Sequence, residues 1–287
     1  MKKGDNNMNT YVGIEIDGGQ MFMMAETAEG SLEHTVPTGA DCTLLQLQQE
    51  VEAFVSKLPY TPRGIGMGMP GLVIGSDKVE LSHVLPALNG VTAAMFETSA
   101  NIPVAFINDV KAATMAEAAY FTDNETVIVI MSDAYIAAGV VASGELLLGA
   151  KGWSGEMGYM ILTVDGEAVL LDTLASGQAI MDQTGMDDAA LRKHLEADDE
   201  QVTGLINQAG EYFGYALTNL LHMYNPDVIV VGGSTPTYKG YMEAAREALE
   251  RHALPELLNC CTLTTPKIQN RVIAFGAREW IRKCTQL

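Results

Sequence analysis

The fold is decided by one stretch of the sequence, Ala105-Phe106-Ile107-Asn108-Asp109-Val110-Lys111-Ala112-Ala113-Thr114-Met115-Ala116-Glu117. Its apolar start, together with Val104, predicts a buried strand, and its Ala- and Met-rich remainder has the spacing of a helix. Asn108 and Asp109 therefore lie where a strand ends and a helix begins, which is where open α/β sheets bind their ligands. A carboxylate there can accept a proton from a substrate hydroxyl, but Asp is also a favoured helix N-cap. The stretch alone leaves both roles open for Asp109.

The segments on either side repeat one pattern of strands and helices. Apolar alternation and helical spacing predict strands at 10–16, 20–27, 64–69 and 104–107, a further strand ending near Pro37, and helices at 41–58 and 92–99. The pattern restarts with strands at 126–131, 136–142, 145–148 and 228–231 and helices at 202–223, 238–252 and 275–283, while 149–200 is less regular. Two βββαβα halves indicate a duplicated, doubly wound α/β fold, and we expect its ligand in the cleft between the halves.

Composition and charge limit what the protein binds. A net charge of −19 argues against nucleic acid, whose phosphates are bound by clustered Lys and Arg. The sequence has no apolar run of the length that spans a membrane. The polar start at 1–7 lacks the apolar core of a signal peptide, so we expect a cytoplasmic protein. The first strand begins near Thr10, which leaves no room for a helix-turn-helix and argues against a DNA-binding repressor.

Five motifs follow one another along the chain. They are P-G at 70–71, N-D-x-x-A-A-x-x-A-E at 108–117, G-x-x-G-E-x-G at 152–158, T-L-A-S-G at 173–177 and N-P-x-x-I-V-x-G-G at 225–233. In this order they resemble the ROK family (repressors, open reading frames and sugar kinases), from Tyr11 to about Lys283. The resemblance implies a duplicated ribonuclease H-like, actin-like ATPase fold with two lobes around a central cleft. We expect residues 1–107 and 273–287 to form the smaller lobe and residues 108–272 the larger.

The resemblance also implies a sugar kinase, which moves the γ-phosphoryl group of ATP to the 6-hydroxyl of a hexose or an N-acyl hexosamine. Relatives are commonly dimers, so we expect a homodimer. Asp109 matches the catalytic base. The residues that match sugar-binding positions are Asn108, Glu156, Asp172, Tyr159 and Gly71. From the residues alone, a solvated turn residue is the favoured role of Glu156, and Asp172 can equally cap a helix through Ser176.

Both loops that hold the phosphates in the family are altered here. The family's D-x-G-G-T is Glu15-Ile16-Asp17-Gly18-Gly19, and its G-T-G-x-G-G-G is Asp133-Ala134-Tyr135-Ile136-Ala137-Ala138-Gly139. ATP with magnesium is the cofactor that the resemblance implies, and the residues at its positions are Glu15, Asp17, Gly18, Gly19, Asp133, Gly232 and Gly233. Glycines in such loops let backbone N–H groups approach phosphate oxygens, whereas carboxylates repel them. We therefore expect weak ATP binding, which leaves a second function open, that of a kinase-dead sugar-binding sensor or regulatory protein.

The zinc site of the family has no counterpart in this sequence. Its His position holds Tyr159 and its last Cys position holds Leu170, with no cysteine between them. The cysteines elsewhere, at positions 42, 260, 261 and 284, lack the spacing of a ligand set. We therefore expect no bound zinc.

Overall fold

The computed structural model of the protein describes residues 10–39, 41–121, 125–268 and 270–286. Their contacts divide the chain into two compact units. The first contains the described residues of 1–120, 148–154 and 267–287, and the second contains those of 121–147 and 155–266. The helix that follows residue 107 packs within the first unit, and the lobe boundaries at residues 107 and 273 stay a prediction.

The secondary structure has the following bounds. The strands are β1 (Tyr11–Ile16), β2 (Gln20–Thr27), β3 (Gly30–Pro37), β4 (Gly64–Met69), β5 (Leu72–Ile74), β6 (Lys78–Leu81), β7 (Val104–Asn108), β8 (Thr126–Ser132), β9 (Ile136–Ala142), β10 (Glu145–Leu146), β11 (Ile161–Val164), β12 (Glu167–Leu170), β13 (Val228–Gly232) and β14 (Thr262–Thr264). The α-helices are α1 (Leu44–Ser56), α2 (Asp109–Ala118), α3 (Asp172–Ala175), α4 (Gly177–Thr184), α5 (Asp188–Glu196), α6 (Glu200–Tyr224), α7 (Tyr241–His252), α8 (Pro255–Leu258) and α9 (Val272–Cys284).

The first unit is built on a five-stranded sheet in the order β3-β2-β1-β4-β7. β1, β2 and β3 are antiparallel neighbours, whereas β1, β4 and β7 run parallel. One face packs against α1, whose buried Leu47 and Phe54 share a core with Met23 of the sheet. Thr43 and Gln46 form a capping box at the start of α1, which fixes where this helix begins.

The other face of this sheet carries α9, and glycines permit the close approach. A Cβ atom built on Gly66 of β4 would lie 1.8 Å from the carbonyl oxygen of Ala277. α2 also lies against α9, and a Cβ on Gly276 would lie 1.7 Å from the carbonyl oxygen of Ala112. Trp280 adds a polar anchor, because its indole N–H donates to a backbone carbonyl of β7 at 3.0 Å. α9 is therefore tightly fitted both to the sheet and to α2.

The second unit repeats this topology in a sheet of the order β10-β9-β8-β13-β14. β8, β9 and β10 are antiparallel neighbours, and β8, β13 and β14 run parallel. The long helix α6 supplies much of the core, where Phe213 lies 5.5 Å from the ring of Tyr241 in α7. Since the same strand order and orientations occur in both units, the predicted duplication is confirmed.

Two parts of the sequence-based prediction are wrong. The helix expected at 92–99 is only the 3₁₀ turn Ala93–Phe96, which starts at Thr92 without a side-chain cap. The segment 149–200, expected only to be less regular, contains the hairpin β11–β12, which was not predicted, and the helices α3, α4 and α5. The hairpin turns at Asp165 and Gly166, both with positive φ, as a type I′ turn requires.

Candidate functional site

Asn108 and Asp109 lie at the junction of β7 and α2, where the sequence predicts them. Asn108 is the N-cap of the helix, since its Oδ1 accepts the Lys111 N–H at 3.1 Å. Its Nδ2 donates to Asp109 Oδ1 at 2.7 Å and to the carbonyl oxygen of Gly71 at 3.0 Å. The alternative in which Asp109 caps the helix is therefore wrong. Three of the predicted substrate-side residues, Asn108, Asp109 and Gly71, meet at one point of the first unit.

Removing this cap tests the role of Asn108 in the fold. We expect Asn108→Ala to lower the free energy of unfolding by about 1 kcal/mol, because alanine cannot accept the N–H group. Asn108→Ser keeps a side-chain acceptor and should remain within about 0.5 kcal/mol of the native chain. Urea denaturation followed by the fluorescence of Trp153 and Trp280, which both belong to the first unit, measures these values. Equal values for the two variants would contradict the capping role.

α2 also buries two charged residues to which the sequence reasoning assigned no role, Lys111 and Glu117. Lys111 Nζ donates to the carbonyl oxygen of Ser154 at 2.7 Å. The Glu117 carboxylate accepts the backbone N–H groups of Lys267 and Ile268 at 2.8 and 2.7 Å, and so holds the segment that leads into α9. Glu117 is the last residue of the N-D-x-x-A-A-x-x-A-E motif, so the motif could have pointed to it. The two hydrogen bonds that its carboxylate accepts give it a structural role.

The turn between β1 and β2, the first predicted phosphate loop, is closed by its own carboxylate. Asp17 Oδ1 accepts the backbone N–H groups of Gly19 and Gln20 at 2.6 and 2.8 Å. A Cβ on Gly18 would lie 2.6 Å from Cγ1 of Val84, an exposed side chain that would have to shift. Asp17, Gly18 and Gly19 therefore form one tight turn, in which one carboxylate oxygen is already occupied.

Glu15, near the end of β1, is a partly buried acid. Its carboxylate accepts the backbone N–H of Ala274 in the first turn of α9. The pKa of Glu15 is raised to about 7, first by burial and then by the carboxylates of Asp17 and Asp109, against the lowering effect of Ala274 and the Arg271 guanidinium. Glu15 of the first loop is thus close to Asp109, the predicted catalytic base, and the two carboxylates repel each other.

Asp133, in the second unit, directly follows β8 and reaches the turn after β13. Its Oδ1 accepts the backbone N–H of Ser234 at 2.6 Å and the Ser234 hydroxyl at 2.7 Å. The turn is tight, since Gly233 has a φ of 101° and a Cβ there would lie 2.2 Å from the carbonyl oxygen of Ser132. The predicted nucleotide residues Asp133, Gly232 and Gly233 therefore lie together, and a carboxylate of the chain itself occupies the donors of this turn.

Glu156, Tyr159 and Asp172 are also neighbours within the second unit. Asp172 Oδ1 accepts the Ile136 N–H at 2.8 Å, and the carboxylate lies over Gly158, where a Cβ would be 2.2 Å from its Cγ. The pKa of Asp172 is raised, first by burial, and the nearby Glu156 carboxylate adds to the effect while the Ile136 N–H opposes it. Glu156 and Tyr159 are exposed. The structure therefore brings together the predicted sugar-binding residues of this unit.

The alternative role of Asp172, a helix cap through Ser176, is wrong. Ser176 is itself the N-cap of α4, because its hydroxyl oxygen accepts the Ala179 N–H at 3.2 Å. The same hydroxyl donates to the backbone carbonyl of Asp172 at 2.7 Å. The Asp172 side chain instead holds the start of β9, so one of its oxygens is committed to the backbone.

The hairpin β11–β12 occupies the segment that bears zinc ligands in the family. Its strands pair from Ile161 opposite Leu170 to Val164 opposite Glu167, so backbone hydrogen bonds close the segment. Within residues 10–39, 41–121, 125–268 and 270–286, no three His, Cys, Asp or Glu side chains are placed to share a metal ion.

In the same ranges, no helix has both the length and the apolar character needed to cross a bilayer.

Comparison with known proteins identifies the class of the fold and then the family. The crystal structure of the ROK hexokinase from Thermus thermophilus matches 96% of this chain and 99% of that chain with a TM-score of 0.80 and 24% identity. The fold is accordingly the two-lobed actin-like ATPase fold of ROK hexokinases. Residues 11–284 match the sequence profile of the ROK family, and the chain belongs to that family.

Two relatives of known activity differ in what they do. The xylose repressor of Bacillus spizizenii is 22% identical, over 96% of this chain and 76% of the repressor. The N-acetylmannosamine kinase of Salmonella heidelberg is 24% identical, over 86% of this chain and 90% of the kinase. The family thus includes both sugar kinases and regulators, and the residues at the site must decide between them.

Proposed function

We propose that the protein binds a hexose or an N-acyl hexosamine without phosphorylating it, and that it acts as a sugar-responsive regulatory protein. The sugar-binding residues in this proposal are Asn108, Asp109, Gly71, Glu156, Tyr159 and Asp172. Asn108, Asp109 and Gly71 cluster at the start of α2, and the other three cluster around Gly158. The clustering supports a sugar-binding role for the members of each group. Related proteins named for xylose and for N-acetylmannosamine support a sugar as the ligand.

The contact between Asp133 and Ser234 is the observation that carries the proposal against ATP use. The resemblance places Asp133 in the family's second phosphate loop, where the family has glycine, and here one oxygen of its carboxylate accepts both of the Ser234 donors. A phosphate oxygen brought within about 4 Å of this carboxylate is repelled by roughly 4 kcal/mol at an effective dielectric near 20. That repulsion corresponds to about three powers of ten in affinity. In the other loop Asp17 adds further negative charge, and Glu15 does so above its raised pKa of about 7.

Titration calorimetry tests the two halves of the proposal separately. The ligands are glucose, mannose, xylose, N-acetylglucosamine and N-acetylmannosamine, each alone, and ATP with magnesium alone. We expect saturable binding of at least one sugar, no saturable binding of the nucleotide, and no sugar-dependent ADP release in a coupled assay. Failure of every sugar to bind would overturn the proposal that the protein binds a sugar. Saturable nucleotide binding would overturn the proposal that it does not use ATP.

Matched variants assign the binding to the named residues. Glu156→Gln removes one charge from the proposed sugar side and should weaken sugar binding by about tenfold, as loss of a charged hydrogen bond does. Glu167→Gln makes the same change on exposed β12 and should leave sugar binding unaltered. Asp133→Asn keeps an acceptor for Ser234 but removes the charge, so it should increase the affinity for ATP. Unchanged nucleotide affinity in Asp133→Asn would contradict the role of Asp133.

An ATP-dependent sugar kinase is the second candidate function. It is favoured by the complete N-D-x-x-A-A-x-x-A-E motif and by the position of Asp109 at the strand–helix junction, where a base can meet a sugar hydroxyl. Sugar-dependent ADP release that disappears in Asp109→Asn would establish this function. Release that persists in Asp109→Asn would instead remove Asp109 from the role of base.

A further inference from the structure

A cavity of about 450 Å³ opens in the first unit beside the end of β1. This volume falls within the range of small-molecule sites. Strands β1, β2 and β3 and the residues that precede α9 supply its walls. The lining residues are Glu15, Gln20, Phe22, Thr35, Asn270 and Arg271. None of them is among the sugar-binding residues of the proposed function, so an inference about this cavity does not rest on that function.

The positive charge that lines the cavity is already balanced. The guanidinium of Arg271 forms an ion pair with the carboxylate of Glu33. It also lies 4.3 Å from the ring centroid of Phe22, and so covers the aromatic face. Arg271 therefore contributes hydrogen-bond donors and shape to the cavity, but little net charge.

The negative charge of the cavity is concentrated at Glu15. Its carboxylate is held in place by the backbone N–H of Ala274, and the carboxylates of Asp17 and Asp109 act on the same point. An anionic ligand would be repelled by these groups. A bare metal ion also fits poorly, since no group of three or more His, Cys, Asp or Glu side chains that could hold a metal occurs in the described part of the chain. The negative charge of Glu15 therefore favours an organic cation.

The remaining polar groups of the cavity are neutral. Gln20 and Asn270 offer carboxamides, each with donors and an acceptor, and Thr35 offers a hydroxyl. Thr35 is the cross-strand partner of Phe22, and Gln20 lies two residues before Phe22 on β2, so the neutral groups lie close together around the ring. Groups of this kind suit the hydroxyls of a ligand, because each can donate to or accept from them.

We propose that this cavity binds a small organic cation that carries one ammonium group and several hydroxyl groups. The ammonium group donates to the carboxylate of Glu15, where it offsets the repulsion from the neighbouring acids. The hydroxyl groups exchange hydrogen bonds with Gln20, Thr35 and Asn270. A charged hydrogen bond in a partly desolvated position is stronger than a neutral one, so the ammonium group supplies most of the selectivity.

Calorimetry with two matched probes tests this site. Glucamine is an acyclic polyol with one ammonium group, and sorbitol has the same carbon chain with a hydroxyl in its place. At about pH 8, where the carboxyl group of Glu15 is ionised, and at about 150 mM salt, which screens binding to the overall negative charge of the protein, glucamine should bind saturably and at least about tenfold more tightly than sorbitol. Equal binding of both probes, or saturable binding of neither, would overturn the proposal.

Variants locate the binding within the cavity. Glu15→Gln should weaken glucamine binding by about tenfold or more, whereas Glu29→Gln, which removes one charge from the exposed β2–β3 turn of the same sheet, should leave it unchanged. Thr35→Val retains the shape of a β-branched residue and should weaken binding by about three- to tenfold through loss of one hydrogen bond. Circular dichroism checks that each variant is folded. Native affinity in both Glu15→Gln and Thr35→Val would place the cation elsewhere and refute the site.

Discussion

At about pH 8, the Glu15→Gln variant should be more stable than the native protein by about 3 kcal/mol. The pKa of Glu15 is raised from 4.5 to about 7 in the folded protein, so folding favours its protonated form. Its stabilising contribution is therefore complete below the unfolded pKa and is lost as the pH rises through 7. Glutamine stays neutral throughout and can still accept the Ala274 N–H. Near pH 4 the two proteins should accordingly have similar stability.

Denaturation at several pH values measures this effect directly. Urea unfolding followed by Trp153 and Trp280 reports on the first unit, which contains Glu15. The native protein should lose stability between about pH 5 and pH 8, and Glu15→Gln should lose much less. Glu29→Gln, on the exposed turn of the same sheet, should follow the native curve. A native-like slope in Glu15→Gln would show that Glu15 is not the group that titrates.

Replacing Gly276 by alanine should destabilise the first unit by about 3 kcal/mol. The added Cβ would lie 1.7 Å from the carbonyl oxygen of Ala112 and 2.4 Å from its carbonyl carbon. Both are backbone atoms of α2, so no side chain can rotate away, and α9 must move from α2 or from the sheet. Either movement opens the buried packing around Ala277 and Ile281. The same fluorescence-detected urea unfolding measures the loss.

A second glycine of the chain provides the control for this substitution. Gly204 lies on the exposed side of α6, and nothing lies within 4 Å of a Cβ built there. Gly204→Ala should therefore leave the protein as stable or stabilise it by about 0.5–1 kcal/mol, the difference in helix propensity. Circular dichroism follows the unfolding of the second unit, to which α6 belongs. If Gly276→Ala lowered the free energy of unfolding no more than Gly204→Ala does, the close contact between α9 and α2 would be contradicted.

Local sequence patterns predicted the elements whose residues interact mainly with their own segment. β1, β2, β4, β7, β8, β9 and β13 have clear apolar runs, and their predicted bounds agree closely with the structure. The sequence also placed Asn108 and Asp109 correctly at a strand–helix junction, because the apolar run of β7 ends there and the helical spacing of α2 begins. The hairpin β11–β12 was missed although its Asp165-Gly166 pair is a recognised turn signal.

Contacts between distant residues could not be predicted from local patterns. Asp133 and Ser234 are about one hundred positions apart, and only the pairing of β8 with β13 brings them together. Glu15 likewise becomes a partly buried acid with a raised pKa only when α9 covers its strand. The roles taken from the family resemblance do not reveal these contacts, since they concern residues in which this chain departs from the family. The homodimer, the cytoplasmic location, the lack of zinc and the weak binding of ATP stay predictions.

The glycine-lined contact of α9 has a consequence for how the protein is synthesised. The ribosome makes β1 and β4 early, but the helix that covers their second face is complete only at Cys284. Until then Phe22 and Met24, which the finished protein buries beside Ala274, have no cover, and a nascent chain in this condition is prone to aggregate. The second unit ends at residue 266, so all of its residues are synthesised before α9. During translation, the unit that begins first is therefore the one that finishes last.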